Sequence, residues 1–140
     1  MTSSYLFVYG TLKSDAFNPN AQKLHHHAKL FGPARWQGAV YRIRNYPGAV
    51  RSDNKDEYVL GELWRLNNAK EMLAVLDEYE ECAPHSPLPH EYIRILEPVY
   101  FGAEIIDAWI YLYNLDTENL EKIESGNFVN ENQTLVRRVL

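Results

Sequence analysis

An unbroken apolar run that ends at a glycine, Tyr5-Leu6-Phe7-Val8-Tyr9 followed by Gly10-Thr11-Leu12-Lys13, dictates how the rest of this chain must fold. A strand with one wet face alternates apolar and polar residues, whereas a run without alternation reads as a strand buried on both faces. The chain must therefore supply an apolar layer on each side of it. Gly10 stops the run, and glycine can adopt a backbone turn that a side chain would forbid. Main-chain N–H groups then follow directly on a rigid strand end, where several donors can converge on one anion. These residues offer a place for a ligand carboxylate; on the residues alone, a glycine that simply terminates a core strand is the plainer explanation.

At 140 residues, with 46% hydrophobic content and ten tyrosines, the chain is expected to form a single domain, residues 1–140, with a substantial core. A net charge of −5 without a Lys/Arg cluster argues against a nucleic-acid surface. No stretch approaches the length of a membrane span, and Met-Thr-Ser-Ser is not the start of a signal peptide. Cys82 stands alone, which excludes an internal disulfide and fits a reducing compartment. The expected location is cytoplasmic, with no membrane or nucleic-acid partner.

In chain order, a polar loop over 14–20 leads to a helix over Ala21 to Leu30, broken at Gly32-Pro33. Its histidines, His25, His26 and His27, are adjacent, so they do not share a helix face and read as solvated rather than as metal ligands. Ala34 to Arg44 carries strand signals, and Tyr46-Pro47-Gly48 is a turn into Ala49-Val50. Tyr58 to Leu66 is a further strand. Asn67 or Asn68 can cap a helix over Ala69 to Glu81. Pro84, Pro87 and Pro89 forbid its continuation and predict an extended loop over 85–90. Tyr92 to Tyr100 and Ile105 to Tyr113 read as a hairpin about Gly102. Strands outnumber helices and connections are short, so the expected class is α+β, a small mixed, barrel-like sheet with a few flanking helices.

The helix over 69–81 carries four acids near its end: Asp77, Glu78, Glu80 and Glu81. At about 100° per residue, Ala69, Met72, Leu73, Leu76 and Tyr79 form one apolar stripe. Glu80 falls inside that stripe, Glu78 opposite it, and Asp77 and Glu81 at or beyond its edge. A carboxylate aimed inward is costly unless paired, hydrogen-bonded or protonated. Two explanations stay open: a structural one, in which Glu80 pairs with a buried arginine such as Arg94 or frays outward at the helix end, and a catalytic acid–base. Cys82, close by, has no histidine at a convincing position and reads as packing.

Tyr9-Gly10-Thr11-Leu12 after an apolar strand resembles the opening signature of the gamma-glutamylcyclotransferase-like family, and Leu76-Asp77-Glu78-Tyr79-Glu80 resembles its second, which ends in a catalytic glutamate. Further pieces are similar in order and spacing: Tyr46-Pro47-Gly48-Ala49-Val50, Gly61-Glu62-Leu63-Trp64, Tyr92-Ile93-Arg94 and the strand Ala108 to Tyr113. Ile123 to Phe128 resembles the family's closing Ile-x-x-Gly-Asp-Trp, with Asn127-Phe128 in place of Asp-Trp. Glu81 stands where the family often has glycine.

The resemblance implies a gamma-glutamylcyclotransferase-like fold and a metal-independent enzyme without cofactor. Its small-molecule substrate is a γ-glutamyl amino acid or, closer to the form of this loop, a γ-glutamylamine. The substrate's α-amine attacks its own γ-carbonyl, closing 5-oxoproline and expelling the attached amine. Glu80 would be the general acid–base; the main chain of Tyr9, Gly10, Thr11 and Leu12 would hold the α-carboxylate, with Tyr92 and Tyr113 as walls. Two other classes share most of these features: a non-catalytic module that binds a small carboxylate in the same pocket, and a purely structural domain with Glu80 in a buried ion pair.

Overall fold

The computed structural model describes residues 3–130. In chain order its elements are β1 (Tyr5–Val8), α1 (Pro19–His26), β2 (Ala28–Arg42), β3 (Pro47–Arg51), β4 (Tyr58–Leu66), α2 (Ala69–Tyr79), β5 (Tyr92–Phe101), β6 (Glu104–Tyr113) and β7 (Glu121–Lys122). Strands β1, β4, β2, β3 and β6 follow one another round a closed barrel, because β6 pairs in parallel with both β3 and β1. Strand β5 joins outside that ring as the hairpin partner of β6, and β7 adds a short pairing to β2.

The burial of β1 follows from this closure. Phe7 and Tyr9 share the barrel interior with Trp36 and Val40 of β2, Val59 and Leu63 of β4 and Ile110 of β6. Leu6 and Val8 face the other way, into a second apolar layer formed with Leu24 of α1 and Met72, Leu73 and Leu76 of α2. The uninterrupted apolar run is thus the sequence signature of a barrel strand roofed by helices.

Helix α1 begins at Pro19, whose missing N–H costs nothing in the first turn, and Asn18 caps it by accepting from Ala21 N at 2.8 Å. It ends at His26, so the expectation of helix to Leu30 is corrected. Ala28 already pairs with Leu66, and Gly32-Pro33 lies within a strand of 15 residues instead of breaking the chain. Gly32 has φ 143° at a register shift between β2 and β4, which only glycine takes easily, and such irregularities also admit a proline. Helix α2 starts after Asn68, whose side chain makes no capping bond. The 85–90 loop is not extended throughout: a turn brings Ser86 N to Ala83 O at 2.9 Å. No helix among the described residues is long and apolar enough to cross a membrane.

Candidate active site

A cavity of about 290 Å³ opens where the end of β1, the chain entering β3, and the end of α2 meet. Tyr9, Gly10, Thr11 and Leu12 form one wall, Tyr46 and Pro47 another, and Glu80, Glu81, Glu91, Tyr92 and Tyr111 the remainder. The two stretches singled out in the sequence, 69 residues apart in number at Thr11 and Glu80, therefore face one space. Tyr113 is not in the wall; its ring packs edge-on behind Tyr92 at 5.6 Å.

The loop after β1 is tied down by its carbonyls. Gly10 O accepts from Lys13 N at 3.1 Å and from the Asn130 side chain at 3.1 Å. Thr11 O accepts from Asn18 Nδ2 at 2.6 Å, and Leu12 O lies 3.2 Å from His25 Nε2, whose ring stacks on Trp64. A trans peptide points its N–H opposite its carbonyl, so fixing the carbonyls of Gly10 and Thr11 aims the N–H groups of Thr11 and Leu12 the other way. Among the described residues neither N–H has a hydrogen-bond partner. Two preorganised donors at the cavity wall are what a carboxylate requires.

Gly10 is needed for a reason the sequence did not show. It does not take a positive φ, which corrects the turn argument. A Cβ at this position would instead lie 2.6 Å from Pro47 Cγ and 2.7 Å from Cδ. The loop also reaches α2 directly, through a 2.8 Å hydrogen bond between Thr11 Oγ1 and the Tyr79 hydroxyl.

Glu80 sits at the C-cap of α2. Cys82 N donates to Asp77 O at 2.9 Å and Glu81 N to Glu78 O at 3.1 Å, the paired bonds of a Schellman ending. That ending demands a left-handed residue, and Glu81 has φ 58°. The family's frequent glycine at this position thus has a backbone reason.

The structure also decides which acid takes the arginine. Arg94 Nε donates to Asp77 Oδ1 at 2.7 Å and Nη2 to Oδ2 at 3.0 Å, while Tyr111 adds its hydroxyl to Oδ1 at 2.7 Å. The arginine that the ion-pair alternative assigned to Glu80 is therefore held by Asp77, which also turns inward. Among the described residues the Glu80 carboxyl has neither a cation nor a hydrogen-bond donor. The residue keeps some accessible surface at the cavity wall, but its carboxyl lies deep in the protein mass. Burial, reinforced by the charges of Glu91, Asp77 and Glu81, pushes it from 4.5 up to about 8.

The neighbouring hydroxyls are committed elsewhere. Tyr9 accepts from Ala49 N at 3.1 Å and donates to Tyr111 O at 2.6 Å, a tie across the barrel. Tyr92 donates to Pro47 O at 2.5 Å. Burial raises both phenols, so they stay neutral. Sequence reasoning missed Glu91 and the hydroxyl of Tyr46, which donates to Glu91 Oε2 at 2.7 Å. The only available signal was that Glu91 precedes a wall tyrosine and Tyr46 lies in a family-like turn. Of the histidines, His26 and His27 are exposed, as expected, whereas His25 packs on Trp64.

A profile of the family described as "Gamma-glutamyl cyclotransferase, AIG2-like" matches residues 6–130. The chain belongs to that family. It is 33% identical over 129 residues to the gamma-glutamylcyclotransferase family protein ytfP of Citrobacter rodentium, covering 91% of this chain and 97% of that protein. Among solved structures it is similar to the solution structure of ytfP from Escherichia coli, with 29% identity, TM-score 0.63 and coverage of 91% and 98% of the two chains. An AIG2-like protein of Mus musculus shares the fold at TM-score 0.60 and 23% identity, over 85% of this chain and 92% of that one. Membership supports a gamma-glutamyl cyclotransferase-like activity on a small γ-glutamyl molecule.

Proposed function

We propose that the protein converts a γ-glutamylamine or γ-glutamyl amino acid into 5-oxoproline and the free amine. The observation that carries this reading is the opposition, across one cavity, of the Thr11 and Leu12 N–H groups and the Glu80 carboxyl, which has no cation or donor among the described residues. The α-carboxylate of the substrate binds the two N–H groups, which places its α-ammonium within the same space as Glu80. Ionised Glu80 removes a proton from that ammonium. The freed nitrogen attacks the γ-carbonyl carbon, forming the ring C–N bond. As the bond to the leaving nitrogen breaks, Glu80 returns its proton there; the ring nitrogen sheds its second proton, which the departing amine takes up to leave as an ammonium, so atoms and charge balance.

Cyclisation is intramolecular, so the protein gains most by holding the reactive rotamer and relaying protons from the attacking to the leaving nitrogen. A carboxyl near 8 suits both transfers, being basic enough to take the proton and acidic enough to give it back. These steps use no metal or cofactor. Because the base form is required, kcat/KM rises with pH up to about 8.

The test is incubation with a panel of γ-glutamylamines and γ-glutamyl dipeptides, reading 5-oxoproline by mass. Binding of 5-oxoproline without turnover of any member would replace the enzyme with a small-carboxylate binding module.

A further inference from the structure

We propose that Asp77 is the positioning residue of this site: by holding Arg94 and Tyr111 it seats the last turn of α2 and keeps Arg94 engaged away from Glu80. The inference rests on the acid–base reading of Glu80 and deepens it.

The geometry is specific. Arg94 on β5 and Tyr111 on β6 are cross-strand partners in the hairpin, so one pair delivers both polar tips to one point. That point is the Asp77 carboxylate, one helical turn before Glu80 and on a neighbouring part of the helix surface. The guanidinium engages both carboxylate oxygens, the geometry that binds arginine most firmly, and its other face stacks on Trp109 at 4.4 Å. The carbonyl of the same Asp77 accepts from Cys82 N and so closes the helix end on which Glu80 is mounted. One residue thus closes the helix end on which Glu80 stands and engages Arg94 through both carboxylate oxygens.

The charges that face Glu80 come from several elements. Asp77 and Glu81 stand on its own helix end, and Glu91 approaches from just before β5. The phenols of Tyr9, just after β1, Tyr92 of β5 and Tyr111 of β6, and the thiol of Cys82, are held neutral by burial. Arg94 is held by Asp77, through both carboxylate oxygens.

Two substitutions then act in opposite directions. Asp77→Asn keeps the shape, removes a negative neighbour of Glu80 and leaves Arg94 without its counter-ion, so Glu80 ionises at lower pH. Arg94→Gln leaves Asp77 a bare anion beside Glu80, so Glu80 ionises at higher pH. Each displacement should be about one pH unit, the lower end of what a close charge produces. A purely structural role moves both variants alike, through stability and amplitude, without parting their midpoints.

The experiment follows Glu80 directly, by carboxyl carbon NMR titration of the whole protein, together with the pH profile of kcat/KM on whichever γ-glutamyl compound the panel identifies. The expected result is a lower midpoint in Asp77→Asn, a higher one in Arg94→Gln, and a return towards the parent in Arg94→Lys. If either charge variant fails to fold, Tyr111→Phe, which strips one hydrogen bond from Asp77, should raise the midpoint in its place. Midpoints that move together, or not at all, overturn the inference. Opposite NMR midpoints without turnover of any γ-glutamyl compound uphold it and overturn the enzymatic reading instead.

Discussion

Replacing Glu80 with glutamine should make the protein more stable as it makes it inactive. The folded state raises the Glu80 carboxyl from 4.5 to about 8, so between those values it binds a proton that the unfolded chain releases. Stability linked to this group is therefore fully present below 4.5 and is lost as pH rises to about 8. Each pH unit in that window corresponds to about 1.4 kcal/mol. At neutral pH about two and a half such units have accumulated, a cost of about 3 kcal/mol, which solvent reaching the cavity trims to about 2 kcal/mol. Glu80→Gln has no charge to bury and escapes that cost. For a chain of this length the gain corresponds to a melting point higher by about 5–8 °C near pH 7, shrinking towards zero near pH 4.5. The same substitution cannot shuttle a proton, so kcat should fall about a hundredfold or more. Thermal melts of parent and variant at several pH values, with single-turnover rates beside them, read both effects. A variant that melts several degrees lower at every pH would behave as a broken buried ion pair and refute the reasoning. So would one whose melting point falls with pH just as the parent's does.

Gly10→Ala should weaken 5-oxoproline binding at least about tenfold, because its Cβ meets the Pro47 ring, while Thr11→Ser keeps its hydroxyl and main chain and stays near normal. Calorimetric titration separates them, and full affinity in a folded Gly10→Ala protein would place the anion elsewhere. Glu81→Gly should raise stability by about 1 kcal/mol, since only the glycine takes φ 58° without steric cost; an unchanged denaturant midpoint would remove the strain argument. Turnover should survive exhaustive chelation by EDTA, and its loss with recovery on adding zinc or manganese would overturn the metal-free mechanism.

The parts of this fold legible in the sequence are those set by local pattern. The unalternated run of β1, the limits of β4 and the β5–β6 hairpin each follow from residues close together. Helix α2 showed its stripe, and with it the inward aim of Glu80. The Gly32-Pro33 pair misled because a register shift inside a long strand has the composition of a break. Asp77 was misplaced because a helical wheel ranks residues by angle, whereas its partners, Arg94 and Tyr111, come together only when the hairpin closes. Tyr113 shares a strand face with Tyr111, and nothing local reveals that it packs edge-on against the Tyr92 ring and stays out of the cavity lining. For Gly10, the reason lay in Pro47, 37 positions along the chain.

The brace behind the Gly10–Lys13 loop has a consequence for the life of the chain before it is finished. Asn130 reaches back 120 positions to Gly10 O, and the buried Lys13 places its Nζ 2.6 Å from Phe128 O. During synthesis at about 5–20 residues per second, the loop waits on the order of ten seconds for these partners. In that interval α2, Glu80 and the β5–β6 hairpin can all be assembled around a Gly10–Lys13 loop whose rear support has not yet been made. Under the proposed roles, a nascent chain ending before residues 127–130 would fold its proton carrier first and acquire its grip on substrate last.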